Sequence, residues 1–437
     1  MIKLDTTGRW EKERLSALFS ENNIRNTNFI EKKAYQFFFG TITPKKEFEL
    51  TDDLIEIYSK YTVIKPGDII INGLNLNYDF VTQRVGIARE NGIITSAYIS
   101  LRPRTNLNPN YYCYLLKTVD AQKMFHGLGT GIRLTLSFKD IKYLLLPVPP
   151  RDEQDQIVRF LDWKVSGINR LIRIRKLQIE KLEEIKRSSI GYLVMGQAQT
   201  VPQRDTAVNW IKTIPAHWEE KSLIQVAEEQ QIKNTGMVED NLLSLSYGKI
   251  INKDIKTTDG LLPSNFEGYQ IVYDGNIVLR LTDLQNDHKS LRTGLVTQTG
   301  IITSAYSCLK VRHNISPEYL QLQLHVADLC KVFYGMGGGV RQSIGFKEIR
   351  KLVIAIPPVE EQQHIIEGVH KIEKPINRAI QNLKDITSEL ENLKMRLIFD
   401  TVTGKIDVRG VKIPEYEFVD ETADPENAGD ETDEQED

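Results

Sequence analysis

The pattern of apolar and polar positions alternates between two kinds of stretch along the chain. Residues 10–150 and 218–358 mix short apolar runs with Gly, Pro and Asn, which is typical of strands joined by turns. After each of these stretches, apolar residues recur at helical spacing. Within the first kind of stretch the pattern predicts strands at Asp68–Ile71, Arg84–Ala88 and Ile93–Leu101. It also predicts helices at Pro109–Lys123 and Pro317–Val332, each with proline in its first turn.

The helical stretches carry an apolar heptad repeat, which predicts a coiled-coil seam. In the second stretch the a positions are Val369, Ile376, Leu383, Leu390 and Leu397, and the d positions are Ile372, Ala379, Ile386 and Leu393. The first stretch shows the same alternation at Leu161, Val165, Ile168, Ile172, Ile179 and Leu182. Two such helices in one chain most simply pack antiparallel. Gly167 and Pro375 share one register position, and either each helix is kinked there or the long helix begins there.

The chain is a tandem duplication with a displacement of 208 residues. The heptapeptide Gly-Ile-Ile-Thr-Ser-Ala-Tyr occurs at 92–98 and returns without change at 300–306. A repeat of this length indicates a duplicated domain and not a solenoid unit. We therefore predict an α+β chain with two tandem mixed α/β domains, each followed by a long helix, and with pseudo-two-fold symmetry. The same displacement relates Trp10 to Trp218, Gly196 to Gly404, and Pro-Pro-x-x-Glu-Gln at 149–154 to its copy at 357–362.

This organisation sets the predicted boundaries, which are residues 1–150 for domain 1, 151–210 for a helical spacer, 211–358 for domain 2, 359–412 for a second helical spacer, and 413–437 for a tail. The tail holds twelve acidic residues without Lys or Arg, and we expect it to be disordered. The formal charge of −3 therefore divides into +9 for residues 1–412 and −12 for the tail. A body with this excess of positive charge suits a polyanionic partner such as DNA, although such charge also occurs on other proteins.

Several classes of protein are excluded by composition and motifs. Three cysteines without a Cys-x-x-Cys pair, and a first segment without a signal peptide, predict a cytoplasmic protein. No apolar run is long enough to cross a bilayer, so we expect no membrane association. A P-loop, a metal-binding spacing of histidines and a Gly-x-Ser-x-Gly elbow are all missing from the sequence. The chain is predicted to be non-catalytic and to bind no metal or cofactor itself.

Most candidate DNA contacts lie in or near polar stretches that follow a strand in each copy, where the two copies differ most between shared flanks. Two further arginines, one in each copy, follow the Gly-rich loops 127–131 and 335–339 and could contact the DNA backbone. Arg, Asn and Gln can read base edges, and Lys and Arg bind phosphates. The candidates are Asn72, Asn75, Asn77, Gln83, Arg84 and Arg133 in copy one, and Arg280, Thr282, Gln285, Asn286, Lys289, Arg292 and Arg341 in copy two. Ordinary solvated loops would have the same polar composition, and for any single residue this alternative stays open.

The layout resembles the specificity subunit of type I restriction–modification systems over nearly the whole chain except the acidic tail. The resemblance is carried by Trp10 and Ile214-Pro215-x-x-Trp218, by the repeated heptapeptide, and by Pro-Pro-x-x-Glu-Gln before each helix. Further matches are the helix ends near Met195-Gly196 and Thr403-Gly404-Lys405, and the stretches at 71–80 and 279–287. The acidic tail departs from the family pattern.

The resemblance implies two target-recognition domains, each reading half of a split sequence in double-stranded DNA. The helices would fix the spacer between the halves and dock two methyltransferase subunits, which transfer methyl groups from S-adenosylmethionine to adenine. Two restriction subunits would add translocation and cleavage that require ATP and Mg²⁺. The residues expected to form the coiled coil and to dock partners are Leu161, Ile168, Ile172, Ile179, Leu182, Val369, Ile376, Leu383, Leu390 and Leu397.

Two other classes of function compete with this one. A fused methyltransferase-nuclease would carry similar recognition domains, but the missing cofactor and catalytic motifs argue against it. A coiled-coil adaptor without DNA specificity would explain the helices. Two matched globular domains are more than such a spacer needs.

Overall fold

The structure is a computed structural model that describes residues 7–38, 40–46, 51–76, 83–104, 106–129, 134–208, 210–255, 265–285, 291–336 and 343–420. It divides into two compact units. Unit 1 contains the chain up to Leu177 and the chain from Leu383 onward, and unit 2 contains Gln178–Asn382. Each unit therefore holds one globular domain together with part of both long helices.

Domain 1 is built from short strands with one helix of moderate length. Its strands are β1 (Lys12–Arg14), β2 (Phe19–Glu21), β3 (Tyr35–Phe38), β4 (Thr41–Pro44), β5 (Thr62–Ile64), β6 (Ile69–Ile71), β7 (Val85–Ile87), β8 (Gly92–Ile94), β9 (Ile99–Pro103) and β10 (Leu145–Pro147). Its helices are α1 (Leu15–Leu18), α2 (Asp52–Ser59), α3 (Pro109–Ala121) and α4 (Phe138–Ile141), and the long helix α5 (Arg151–Val194) follows.

Domain 2 repeats the order of the strands after a two-stranded entry, and no counterpart of α2 is present among its described residues. Its strands are β11 (Gln203–Asp205), β12 (Thr213–Pro215), β13 (Glu219–Ser222), β14 (Ala227–Glu229), β15 (Leu243–Ser246), β16 (Lys249–Asn252), β17 (Gln270–Val272), β18 (Ile277–Leu279), β19 (Thr293–Leu295), β20 (Gly300–Ile302), β21 (Ser307–Val311) and β22 (Val353–Ile356). Its helices are α6 (Leu223–Val226), α7 (Pro317–Leu329) and α8 (Phe346–Ile349), with a 3₁₀ turn at Val332–Gly335, and α9 (Val359–Val402) follows.

The same antiparallel sheet lies at the centre of each domain. Its strand order is β2-β9-β6-β7 in domain 1 and β14-β21-β18-β19 in domain 2. The inner strands β6 and β18 are buried along their whole length, which explains their unbroken apolar composition. One face of each sheet and helix α3 or α7 contribute to a core that also includes residues of the long helices.

The predicted elements agree with the structure in most places. The strands at Asp68–Ile71 and Arg84–Ala88 and the helices α3 and α7 are confirmed, and Asn108 and Ser316 cap the two helices. The single strand predicted at Ile93–Leu101 is wrong, because a turn at residues 95–98 divides it into β8 and β9. The first spacer is also not helical throughout, since α5 ends at Val194 and β11 begins at Gln203.

The repeated tryptophan and glutamate join each domain to the start of its own long helix. The indole Nε1 of Trp10 donates to Glu153 Oε2 at 3.1 Å, and that of Trp218 donates to Glu361 Oε2 at 3.0 Å. The residues that directly follow α9 and α5 pack against these same two indole rings. Gly404 and Gly196 have positive φ, and a Cβ on either would lie within about 3 Å of the indole of Trp10 or Trp218.

The repeated glutamine after that glutamate satisfies buried backbone groups. Gln362 Oε1 accepts from the N–H of Ser316 at 2.8 Å, and its Nε2 donates to the carbonyl oxygen of Pro357 at 3.0 Å. Gln154 makes the matching pair of bonds with Asn108 and Pro149 at 2.9 and 2.8 Å. Each glutamine therefore connects the cap of α3 or α7 to the double proline before the long helix.

We expect Gln362→Leu to lower the free energy of unfolding by about 2–4 kcal/mol, because it leaves a partly buried N–H and a buried carbonyl without partners. Urea unfolding of the purified chain measures this. Gln363→Leu is the matched control, because Gln363 is an exposed neighbour on the same helix. Equal effects of the two substitutions would contradict the expectation.

The two long helices pack antiparallel, and each is continuous. In unit 1 Asn169 of α5 lies 3.5 Å from the Nζ of Lys394 of α9, and in unit 2 Lys186 of α5 donates to Asn377 of α9 at 3.2 Å. Pro375 lies inside α9 on an exposed face, so the alternative in which the long helix begins at this position is wrong. The ten residues expected to form the coiled coil and to dock partners are all buried or half-buried.

The predicted d positions are wrong in the second half of α9. Ile386 and Leu393 are 39% and 53% exposed, whereas Thr387 and Lys394, one residue later, are half-buried and buried. In this half of α9 the residue that faces the seam lies four residues after each a position, and the next a position follows three residues later. The buried Lys394 is satisfied by Glu391, whose Oε2 lies 2.7 Å from its Nζ, and by Asn169.

The chain after α9 packs back onto unit 1, which corrects the predicted start of the disordered tail. Gln156 of α5 donates to the carbonyl oxygens of Val408 and Val411 at 3.0 and 2.8 Å. Further along, Ser166 donates to the carbonyl oxygen of Glu417 at 2.9 Å and accepts from the N–H of Val419 at 2.6 Å. Residues 413–420 therefore follow α5 as an extended segment. The rest of the predicted tail, 421–437, lies outside the described residues.

Unit 2 contains a half-buried histidine, His325 on α7, that should make the stability of the unit depend on pH. Burial lowers the pKa of His325 to about 4, and the nearby Lys186 cation acts in the same direction. The matching position in copy one is Lys117. The unfolded chain, with a histidine pKa of about 6.5, binds the proton more readily than the folded one.

We therefore expect full stability above pH ~6.5 and a loss of about 3 kcal/mol as the pH falls towards 4. Chemical denaturation across this range, compared between the unsubstituted chain and His325→Gln, measures the contribution. The variant should lose less stability on acidification. An unchanged slope would contradict this assignment.

Candidate nucleic-acid interface

Two loops meet at one end of domain 1. They are the loop after β6 and the segment between α3 and α4. Leu136 donates its N–H to the carbonyl oxygen of Gly73 at 2.8 Å, and Leu76 donates to that of Leu134 at 3.2 Å. A Cβ on Gly73 would lie 2.5 Å from the Leu136 oxygen, so this close approach requires glycine. In domain 2 the N–H of Ile344 donates to the carbonyl oxygen of Leu281 at 2.9 Å at the matching place.

A buried arginine holds the loop after β6. Arg84 Nη1 donates to the carbonyl oxygens of Asn72 and Leu74 at 3.3 and 2.7 Å, and Nη2 donates to that of Asn75 at 3.4 Å. The backbone N–H of Arg84 donates to Asp120 Oδ2 on α3 at 2.7 Å. The arginine is 1% exposed, so its guanidinium lies inside the domain beneath the loop.

Domain 2 has the same arrangement around Arg292, which is fully buried. Its Nη1 donates to the carbonyl oxygens of Arg280 and Thr282 at 3.2 and 2.8 Å, and its Nη2 donates to that of Asp283 at 3.4 Å. The backbone N–H donates to Asp328 Oδ2 at 2.8 Å. The Nε donates to the hydroxyl of Tyr334 at 3.0 Å, and the guanidinium also lies 5.2 Å from the centre of that ring.

The backbone of the two loops has the same unusual turn. Asn75 and Asp283 occupy matching positions and have φ of 51° and 56°, which lies in the left-handed region. Asn and Asp tolerate this region better than other residues with a side chain. Each left-handed residue supplies the last of the three carbonyl oxygens that the arginine binds. The two copies therefore share one loop backbone although most of its side chains differ.

The aspartate below each arginine was missed by sequence reasoning. Burial raises the pKa of Asp120, while the N–H of Arg84 and the surrounding cations, including Arg84 itself, oppose that shift. Asp120 and Asp328 recur at the displacement of the repeat, as do Arg84 and Arg292. This recurrence of a charged pair in otherwise divergent surroundings is the signal that could have identified them.

The predicted DNA contacts fall into three groups. Asn75 and Gln285 are exposed, and Asn72, Gln83, Arg280 and Thr282 are half-buried at the same end of their domains. Gln83 is partly occupied inside unit 1, because its Nε2 lies 3.9 Å from the sulfur of Met395. Arg84 and Arg292 are buried, and this corrects their selection as DNA contacts. The remaining candidates, which are Asn77, Arg133, Asn286, Lys289 and Arg341, lie outside the described residues.

The site holds no arrangement for metal or membrane chemistry within the described ranges. No cluster of three or more His, Cys, Asp or Glu side chains there could hold a metal ion. None of the helices in the described part of the chain is long and apolar enough to span a membrane. The polar groups at the loop ends are hydrogen-bond donors and acceptors, which suit recognition of another polar molecule.

Comparison with protein families decides the class of the molecule. The family model for the type I restriction modification DNA specificity domain matches residues 9–181 and 293–391, which is more than half of the chain. The chain belongs to this family. It is a DNA specificity subunit of a type I restriction–modification system, and catalysis in that system belongs to partner subunits.

The chain is also similar to individual proteins and solved structures. A protein of Methanocaldococcus jannaschii, named as the specificity subunit of the type I restriction enzyme MjaX, is 24% identical over 321 residues, which is 71% of each chain. A chain solved in work on complex assembly and conformational transition of the type I R-M system has a TM-score of 0.63 at 14% identity. The structural match covers 92% of the chain described here and 100% of the solved chain. The HsdS subunit of Thermoanaerobacter tengcongensis has a TM-score of 0.43 at 14% identity, with coverage of 92% and 98%.

Proposed function

We propose that each globular domain of this specificity subunit reads one half of a bipartite sequence in double-stranded DNA. The observation that carries the proposal is the duplicated loop. Its backbone is the same in both copies, while its side chains change from Asn72-Gly-Leu-Asn-Leu76 to Arg280-Leu-Thr-Asp-Leu284. One scaffold with two sets of donors and acceptors is suited to reading two different half-sites. The antiparallel helices would set the unread gap between the half-sites.

The partner subunits supply the chemistry in this proposal. Two methyltransferase subunits would transfer methyl groups from S-adenosylmethionine to adenine, which must leave the base stack to enter their pockets. Two restriction subunits would use ATP and Mg²⁺ to translocate and cleave unmodified DNA. The complex would act on DNA in the cytoplasm. The excess positive charge of residues 1–412 supports binding to a phosphate backbone.

The exposed apolar side chains of the helices support docking of a methyltransferase subunit. Ile386 and Leu393 lie one heptad apart on α9, and Leu171, Ile174 and Leu177 are exposed on α5. Most of the predicted docking residues fill the seam, so the exposed set is the better candidate for the contact. Leu393→Glu should prevent co-purification with the methyltransferase subunit without changing the unfolding midpoint, whereas the exposed control Ser388→Glu should not. Co-purification of both variants would remove this surface from the proposal.

Mapping adenine methylation tests the function directly. The chain is expressed with its methyltransferase subunit in a host that lacks other adenine methylation, and the methylated positions are read by sequencing. A two-part motif with a fixed gap is expected. A continuous motif, or no methylation by a complex that assembles, would overturn the proposal.

The role of the loop side chains is tested by Arg280→Ala. Arg280 is half-buried in its loop, and its backbone carbonyl oxygen accepts a hydrogen bond from the buried Arg292. The variant should lose discrimination between matched and mismatched duplexes more than it loses non-specific affinity. A salt titration on both duplexes separates the two, because equal losses would make Arg280 a phosphate contact.

A further inference from the structure

The guanidinium groups of the buried Arg84 and Arg292 each bind several backbone carbonyl groups of one loop. In each copy the two Nη atoms reach three carbonyl oxygens of one short loop, at distances between 2.7 and 3.4 Å. The planar guanidinium presents several donors in a fixed arrangement, which a lysine ammonium cannot reproduce. We call each arginine with the aspartate that accepts its backbone N–H a loop clamp.

The loop clamp acts on the backbone and leaves the loop side chains free to differ. Between positions 72–76 and 280–284 only the last residue, Leu76 or Leu284, is the same, and both leucines are fully buried. The arginine binds the carbonyl groups of the first, third and fourth residues. Those residues are Asn, Leu and Asn in one copy and Arg, Thr and Asp in the other. The buried leucine and the arginine therefore define the path of the loop independently of the side chains that it carries.

The aspartate connects this loop to a rigid element. Asp120 and Asp328 lie near the C-terminal ends of α3 and α7, and each is 1% exposed. Each carboxylate accepts from the arginine N–H at 2.7 or 2.8 Å, directly before strand β7 or β19. The position of the loop is in this way tied to the main helix of the domain, and a rigid support improves discrimination between similar ligands.

We propose that Arg84 and Arg292 are positioning residues for sequence recognition, which hold the reading loops in the geometry needed for base contacts without touching DNA. This inference rests on the proposed function. It differs from a phosphate-contact role in one measurable respect. A buried arginine neutralises no phosphate, so its loss leaves the salt dependence of DNA binding unchanged.

The test uses the complex with its methyltransferase subunits and its mapped target. Arg292→Lys keeps the charge but cannot span the three carbonyl oxygens. Methylation rates are measured on the target duplex and on duplexes with one base pair changed in either half-site. We expect discrimination in the half-site read by domain 2 to fall by about ten-fold, with discrimination in the other half-site unchanged. Arg84→Lys should give the mirror result.

Control variants separate positioning from general damage. Arg312→Lys changes an exposed arginine of the same domain, whose Nη2 lies 3.6 Å from Glu228, and should leave both half-sites unaffected. If Arg292→Lys does not fold, Tyr334→Phe removes the hydroxyl that accepts from Nε and should relax the same half-site to a smaller degree. Thermal unfolding of each variant is measured alongside.

Three results would overturn the inference. The first is unchanged discrimination in a folded Arg292→Lys complex. The second is an equal loss in both half-sites, which is expected from a purely structural defect. The third is a fall in the salt-dependence slope by about one, which would make the arginine a phosphate contact. If the unsubstituted complex methylates no bipartite site, the proposed function itself fails and the inference fails with it.

Discussion

Exchanging residues 219–356 for the matching domain of another specificity subunit should replace one half of the methylated sequence and leave the other half and the gap unchanged. The two ends of this segment are neighbours, because Glu219 pairs with Ile356 in the β13–β22 ladder. Both junctions therefore lie side by side at the base of the domain. Trp218 and Glu361 stay outside the exchanged segment, so their 3.0 Å hydrogen bond to the long helix is retained.

The matched control is the exchange of residues 13–146. These end residues are likewise paired, Glu13 with Leu146, and Trp10 and Glu153 remain outside. This exchange should change only the other half of the motif. Methylation mapping measures both exchanges. A change in both halves, or in neither, would contradict the assignment of one domain to one half-site.

The second large effect is expected from Gly300→Val, at the start of the repeated heptapeptide. A Cβ on Gly300 would lie 2.5 Å from the carbonyl oxygen of Asn241 and 2.7 Å from Leu243 Cγ. The backbone oxygen cannot move away, because it accepts the N–H of Ile301 at 2.9 Å. We expect a loss of about 3 kcal/mol or more in the free energy of unfolding, since the added side chain could be accommodated only by a shift of the backbone.

Gly268→Ala provides the control, because no atom lies within 4 Å of the Cβ position of Gly268 in the same domain. Chemical denaturation should show a small change for this variant and a large one for Gly300→Val. Gly92→Val should reproduce the large effect in domain 1, where the Lys33 oxygen lies at the same 2.5 Å. Comparable stabilities for Gly300→Val and Gly268→Ala would contradict this explanation of the repeated glycine.

Much of the fold could be predicted because the repeat and the helix signals are local. The strand β6, the helix α3 and the long helices recur as β18, α7 and α9 with the same displacement. The course of the seam could not be predicted to the end of α9. Leu393 is apolar and at heptad spacing, yet the partner helix covers Lys394, and only the packing of the pair decides between adjacent positions.

The sequence predicts which loops form the candidate site, but it does not predict the roles of their charged residues. Composition marks Arg84 and Arg280 equally as donors, and nothing local distinguishes an arginine that faces solvent from one that satisfies three carbonyl groups. That distinction depends on where the loop backbone turns at Asn75. The segment at 413–420 was misjudged for a related reason. Its order comes from hydrogen bonds with Ser166 and Asn169, residues about 250 positions earlier in the chain.

The division of the chain between the two units has a consequence for synthesis. Unit 2 is one continuous stretch, whereas the core of unit 1 includes Ile398, Val402 and Val408 beside residues near the start of the chain. The hydroxyl of Tyr111, for example, binds the carbonyl oxygen of Val402 across 291 positions. On the ribosome, the second unit can therefore complete its core before the first one does. The half of the molecule that is translated first is therefore the last to complete its core.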